Sequence, residues 1–123
     1  MKPSFFLGVD ILEWKKAEVF YGMHQDRLSE WLSADERKFV SQGKKPHEAF
    51  AMVFAAKEAV SKALGLSVSG SEALRNIRLK AKKTGGFLVA GKKSLEITLR
   101  RHPRHVVACC LPAGRQVINL KAV

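Results

Sequence analysis

The sequence predicts an α+β fold, in which an antiparallel sheet packs against one long buried helix. The first part of the chain carries helical patterns with recognisable start and stop signals. The helix predicted over 46–65 is apolar around almost its whole circumference, which is typical of burial. The last part of the chain changes to an alternation of apolar and polar residues, which is typical of half-exposed strands. Helices followed by strands in one chain favour the α+β class.

Composition indicates a globular protein with a strong positive charge. The 123 residues, 46% of them hydrophobic, predict a single domain over 1–123, large enough to form a core without disulfides or metals. A formal charge of +11 predicts attraction to polyanions such as nucleic acid, phosphorylated cofactors or acidic proteins. Cys109 and Cys110 are adjacent in an apolar run and should point to opposite faces of a strand. We therefore expect both to be reduced, in a cytoplasmic protein.

The N-terminal region predicts a strand and then a helix. Residues 5–12 form a short apolar run without helical spacing, which predicts a buried strand that ends near Asp10. A helix is expected from about Glu13 to Tyr21, with Gly22 as its stop signal.

Two further helices have clearer boundaries. Ser33 and Glu36 have the spacing of a capping box, so a helix is predicted to start at Ala34. Pro46 opens the next helix, which is the long buried one, and Gly65 is its predicted C-terminal stop.

The strands follow a Ser/Gly loop over 66–71. Glycine turns at 85–86 and 91–93 separate the first three of them, which favours an antiparallel meander. The predicted strands cover 76–82, 86–91, 94–100, 105–111 and, as an edge strand, 116–120.

The long helix carries an unexpected polar stripe near its end. Lys57, Glu58, Ser61 and Lys62 fall within one arc of about 140°, whereas the two preceding turns are apolar on that side. A surface salt bridge between Glu58 and Lys62, worth a few tenths of a kcal/mol, would explain part of this pattern. A binding site on an otherwise buried helix is the alternative.

Two motifs resemble one enzyme family. The stretch FAAKEAVSKALG, Phe54 to Gly65, resembles the signature helix of the holo-acyl carrier protein synthase family of 4′-phosphopantetheinyl transferases, with its pattern K-E-A-x-x-K-A-L-G. Gly8-Val9-Asp10 is similar to that family's first-strand G-x-D motif. The capping-box helix and the segment 74–77 also resemble family elements. Two motifs in the right order are more specific than either alone.

The resemblance implies a reaction and a set of site residues. Family members transfer the phosphopantetheine arm of coenzyme A to a serine of an apo acyl carrier protein and release adenosine 3′,5′-bisphosphate. By position, Asp10 and Glu58 match the carboxylates that hold Mg²⁺, an ion that prefers carboxylate and phosphate oxygens. Lys62 matches the lysine beside the reacting phosphate, and Glu58 is a candidate base for the attacking serine. Gly65, at the end of the signature, is included among the cofactor-binding positions.

The sequence departs from the family at two cofactor-binding positions. Val53 stands where the family usually has an arginine that contacts coenzyme A. The family's late-strand histidine is either replaced by Arg101 or displaced to His102. An arginine can bind phosphate in bidentate fashion. Lys44 and Lys45, just before the long helix, could replace the lost arginine.

The resemblance also implies partners. It implies a homotrimer with active sites between subunits, and basic residues that dock an acidic carrier protein of fatty acid or polyketide synthesis. Two alternatives remain open. One is a catalytically weakened homologue that binds coenzyme A or a carrier protein, and the other is a basic RNA-binding module that uses the alternating face of Arg78, Lys80 and Lys82.

Overall fold

The computed structural model describes residues 7–65 and 71–112. Five strands and four α-helices lie in these ranges, with a short 3₁₀ helix, Gln25–Glu30, between the first two α-helices. The strands are β1 (Gly8–Glu13), β2 (Leu79–Ala81), β3 (Phe87–Val89), β4 (Lys92–Arg101) and β5 (His105–Pro112). The helices are α1 (Trp14–His24), α2 (Ala34–Ser41), α3 (Pro46–Ala63) and α4 (Ser71–Asn76). The predicted α+β class is confirmed.

The sheet is antiparallel throughout, with strand order β1-β5-β4-β3-β2. Strands β2 to β5 form the predicted meander, and β1 pairs with β5. This pairing makes β5 a central strand, with Val106, Ala108 and Cys110 fully buried. The edge strand predicted over 116–120 lies outside the described residues.

Helix α3 packs across β1 and β5 and forms the centre of the core. Its inward residues are mostly small, and Ala55, Ala56 and Ala59 are completely buried. A Cβ atom on Gly8 would lie only 1.9 Å from the carbonyl oxygen of Ala59 and 2.6 Å from the nitrogen of Ala63. Strand β1 therefore lies against the helix backbone itself, because the position contains glycine.

The predicted start of α2 and both predicted ends of α3 agree with the structure. The hydroxyl of Ser33 accepts from the Glu36 amide, and the Glu36 carboxylate accepts from the Ser33 amide, which is the predicted capping box. Helix α3 begins at Pro46, and Gly65 follows its end with φ +69°, a conformation that glycine adopts readily.

Several predictions of local structure were wrong. Strand β1 continues to Glu13, past its predicted end near Asp10, and it is exposed on its outer face, so it is not a fully buried strand. Helix α1 continues through Gly22 to His24, because Phe20 stacks on Phe50 of α3 and Tyr21 packs against the same ring. This tertiary packing offsets the cost of one glycine, about 1 kcal/mol. The expected 76–82 strand is shortened to β2, since α4 occupies the chain up to Asn76. The alternation over 76–82 puts Ala81 on the same face as Leu79, but Ala81 is exposed at the end of this three-residue edge strand.

Candidate active site

The crossing of β1 and α3 brings together Asp10, Glu58 and Lys62. Side chains alternate along β1, so Asp10 lies on the same side as Gly8, facing the helix. The Lys62 ammonium donates to Asp10 Oδ1 at 3.0 Å and to the Val9 carbonyl oxygen at 3.1 Å. The close approach at Gly8 permits these contacts, because no intervening side chain separates the strand from the helix.

Glu58 lies partly buried beside this pair. Burial raises the pKa of its carboxyl group, the negative charge of Asp10 raises the pKa further, and Lys62 opposes both effects. Two neighbouring carboxylates, one of which raises the pKa of the other, are suited to share a cation. No third His, Cys, Asp or Glu completes a cluster here within 7–65 and 71–112. A divalent ion would therefore take its other ligands from water or from a substrate's phosphates, as Mg²⁺ commonly does.

The predicted polar stripe on α3 divides into two parts. Lys57 is fully buried and faces α2, where it lies 2.5 Å from a Glu36 oxygen and donates to the Trp31 carbonyl at 2.7 Å. Burial lowers the pKa of Lys57, and the bond to Glu36 opposes this shift. Ser61 is also buried. Only Glu58 and Lys62 contribute to the surface cluster, so the expectation of one continuous polar face was wrong.

A second cluster of charged residues lies at the other end of α3. Lys44, Lys45 and Arg101, three predicted cofactor-binding residues, line one pocket of about 340 Å³. The Arg101 guanidinium pairs with Glu48 and lies 4.9 Å from the Trp14 ring centroid. Glu48 and Glu58 are separated by nearly three helical turns, roughly 15 Å. The two clusters are therefore distinct regions of one chain.

Two other predicted cofactor-binding residues lie apart from this pocket. The ring of His102 is exposed and stacks on His105 at 4.7 Å between centroids, while its carbonyl accepts from Trp14 Nε1. Gly65 is exposed after the last turn of α3. Val53 is fully buried, so that position presents no group to a ligand. Of the two candidates on the late strand, Arg101 is the one that points into the pocket.

The sequence alone does not identify Glu48 and Trp14 as residues of this pocket region. Glu48 has the position of an ordinary acidic residue in the first turn of a helix, which the helix dipole alone can explain. Its pKa is lowered by the bond to Arg101, an effect that burial opposes. The pairing requires β4 to end beside the start of α3. No local signal encodes this, because the two residues are far apart in the chain.

The basic face proposed for RNA is partly neutralised. Lys82 pairs with Glu96 at 3.0 Å, whereas Arg78 and Lys80 remain exposed. The continuous positive stripe expected from the alternation is therefore interrupted.

No helix in the described ranges has the length and apolarity needed to cross a bilayer.

Comparisons with known proteins agree with the geometry. The family model of the 4′-phosphopantetheinyl transferase superfamily matches residues 6–110. A holo-[acyl-carrier-protein] synthase of Aliarcobacter butzleri is 33% identical over 90 residues, which cover 72% of this chain and 73% of the relative.

Two solved structures share the fold. The holo-[acyl-carrier-protein] synthase of Neisseria meningitidis aligns with TM-score 0.71 and 24% identity over 87% of this chain and 96% of its own. The Bacillus anthracis enzyme, solved with CoA (3′,5′-ADP), aligns with TM-score 0.69 and 23% identity over 87% and 94%. With the family match spanning most of the sequence and both motifs meeting at the β1–α3 crossing, the chain belongs to the 4′-phosphopantetheinyl transferase superfamily.

Proposed function

We propose that this protein transfers the 4′-phosphopantetheine arm of coenzyme A to a serine of an apo acyl carrier protein, in a Mg²⁺-dependent reaction. The observation that carries the proposal is the convergence of Asp10, Glu58 and Lys62 at the β1–α3 crossing. Two carboxylates and an ammonium in one partly exposed cluster suit a substrate that brings a pyrophosphate and a metal ion.

Each residue has a role that its surroundings support. Asp10 and Glu58 would hold Mg²⁺, which when bound offsets the charge that develops on the pyrophosphate. The serine oxygen forms a bond to the β-phosphorus of coenzyme A, the pyrophosphate P–O bond breaks, and adenosine 3′,5′-bisphosphate leaves. Glu58, partly buried beside Asp10, accepts the serine proton directly or through water. Lys62 exchanges Asp10 for a phosphate oxygen and stabilises its charge.

The pocket of Lys44, Lys45 and Arg101 would bind the adenosine bisphosphate end of coenzyme A. Its three cations line a cavity of about 340 Å³ at the junction of β4 and α3. An arginine and two lysines offer bidentate and point-charge contacts to phosphate. They would replace the arginine that the family usually has where this chain has the buried Val53.

A homotrimer is part of the proposal. The two clusters lie roughly 15 Å apart along α3. In a trimer, the pocket of one subunit would bind the adenosine bisphosphate end of a coenzyme A whose pyrophosphate lies at the carboxylates of the neighbouring subunit. The outer face of β1 offers a contact surface together with Leu7, which precedes the strand: Leu7, Val9 and Ile11 are 58%, 40% and 60% exposed. In a native mass measurement, Ile11→Glu should shift the oligomer toward monomer and reduce transfer. A monomeric wild-type protein with full activity would contradict this part.

An acidic carrier protein suits the charge of +11. Lys15, Lys16 and Lys38 are exposed on the first two helices and form a candidate docking surface. Affinity for the carrier should fall as salt rises, and a salt-independent affinity would contradict electrostatic docking. Cys109 and Cys110 are adjacent on β5, so their side chains point to opposite faces and do not pair with each other, which suits action in the cytoplasm.

Intact-mass spectrometry tests the central proposal. Apo carrier proteins from the same genome are incubated with the protein, coenzyme A and Mg²⁺. A mass gain of one phosphopantetheine arm is expected, and Glu58→Gln should abolish it. Glu72→Gln, which removes the same charge from an exposed position on α4, is the matched control and should leave the gain intact. No gain on any carrier would overturn the transferase proposal.

A weakened homologue is the second candidate, and the paired state of Arg101 favours it. The guanidinium is already bonded to Glu48, so coenzyme A must compete for it. Binding of coenzyme A without transfer to any carrier protein would support the hypothesis of a weakened homologue. Transfer of the phosphopantetheine arm to any carrier protein would exclude it.

A further inference from the structure

Glu48 is an acidic residue placed among the cations that line the proposed phosphate pocket. It pairs with Arg101, and its second oxygen lies 3.9 Å from the Lys45 ammonium. Its side chain is only 20% exposed, whereas those of Arg101 and Lys45 are 54% and 68% exposed. One carboxylate is thus the counter-ion of two of the three cations in the pocket.

This arrangement has a consequence for any anion that enters. A phosphate needs the N–H donors of Arg101, and one of those donors is already directed at Glu48. The carboxylate and the phosphate are also both negative, so they repel each other in a partly buried pocket. An incoming phosphate must therefore displace Glu48 from Arg101 or bind less well.

Arg101 has supports that do not depend on Glu48. Its guanidinium lies 4.9 Å from the Trp14 ring centroid, within the range of a cation–π contact. A second N–H group points at the Met52 sulfur, 3.7 Å away. Loss of the Glu48 charge would leave both contacts in place, and the guanidinium would stay directed at the pocket with its donors available.

We propose that Glu48 is an internal competitor for the phosphate site, occupying Arg101 and Lys45 until a phosphate group of the substrate replaces it. The inference rests on the proposed function, since it takes the pocket as the binding site for the adenosine bisphosphate end of coenzyme A. Glu48 then sets the affinity of the pocket and favours highly charged phosphate ligands over weakly charged ones.

The direction in which Glu48→Gln changes the affinity for phosphate distinguishes a competitor from a residue that positions Arg101. Glutamine keeps the size of Glu48 but removes its charge, so Glu48→Gln should bind phosphate more tightly. The free energy of an exposed ion pair corresponds to about a three- to fivefold change in affinity. If Glu48 instead held Arg101 in place, the same substitution would weaken binding.

Isothermal titration with adenosine 3′,5′-bisphosphate tests the proposal. The proteins are the wild type, Glu48→Gln, Arg101→Ala and the double variant, each checked by thermal unfolding. Glu48→Gln should bind about three- to fivefold more tightly than the wild type. In the Arg101→Ala background the gain should shrink, because the competed donors are gone. Glu30→Gln, which breaks the exposed pair with Arg27 at 2.9 Å, is the matched control and should not change affinity.

The other outcomes overturn the inference in distinguishable ways. Weaker binding by Glu48→Gln assigns the residue a positioning role. An equal gain with and without Arg101 indicates a general charge effect and no competition. If the ligand binds neither the wild type nor any variant, the proposed cofactor pocket fails as well. If the wild type binds and Glu48→Gln is unchanged, only the competitor role fails.

Discussion

Helix α3 carries two lysines five positions apart, each paired with a carboxylate from another element, and their surroundings differ completely. The side chains of Lys57 and Glu36 are 0% and 2% exposed, whereas those of Lys62 and Asp10 are 55% and 17% exposed. Lys57 also donates to the Trp31 carbonyl, and Glu36 accepts from the Leu79 amide. The buried pair joins α2, α3 and β2, while the exposed pair remains able to exchange partners. Burial, more than residue type, separates a structural ion pair from one that can exchange its partners.

Breaking the buried pair should have the largest effect. Lys57→Met leaves the Glu36 carboxylate buried without its cation, so the free energy of unfolding should fall by about 3–5 kcal/mol. Urea unfolding followed by circular dichroism measures it. A loss below about 1 kcal/mol would mean that water reaches Glu36, and the contrast between the two lysines would not hold.

Separating β1 from α3 should have the next largest effect. Gly8→Ala puts a Cβ against the Ala59 carbonyl and should cost about 1–3 kcal/mol through displacement of β1. It should also reduce transferase activity, because Asp10 moves with the strand. Gly22→Ala is the matched control: a Cβ there meets nothing within 4 Å, and α1 should become more stable by up to about 1 kcal/mol. Full activity in Gly8→Ala would show that the contact does not set the site geometry.

Removing the exposed lysine should separate stability from activity. Lys62→Met should change the free energy of unfolding by no more than about 1 kcal/mol, because the pair with Asp10 is open to solvent. Transfer to the carrier protein should nevertheless be lost in the mass assay. If Lys62→Met destabilises the fold as much as Lys57→Met does, both pairs are structural.

The smallest effect concerns Glu58 and depends on pH. Since burial raises its pKa, the folded state disfavours the ionised carboxylate, and stability is lost as pH rises from the unfolded pKa through the folded one. Glu58→Gln should therefore be more stable than the wild type at pH 7, by a few tenths of a kcal/mol. The difference should vanish below about pH 4, where both states are protonated. A glutamine variant that is less stable at pH 7 would indicate that Lys62 dominates the environment of Glu58.

The sequence was sufficient to predict the residues of the exposed cluster but not those of the buried one. Asp10, Glu58 and Lys62 belong to two motifs with recognisable spacing. Glu36 was predicted only as a capping residue, because the capping box is local, whereas its bonds to Lys57 and Leu79 depend on how three elements pack.

The same dependence on packing between elements explains the errors in the predicted fold. Helix α1 passes Gly22 because α3 supports it, and β2 is short because α4 precedes it. The α+β class was predictable, since the change from helical to alternating periodicity is a property of the chain itself.

The contact at Gly8 also bears on how the molecule can move. With a Cβ position only 1.9 Å from the Ala59 carbonyl, β1 and α3 have no side chain between them at Gly8 that could slide. A shift of the helix must therefore carry the strand with it, and Asp10 and Glu58 should travel as one rigid body. Motion during a catalytic cycle would then fall on the neighbouring parts, such as the loop of Lys44 and Lys45. The carboxylate spacing would stay constant from substrate entry to product release.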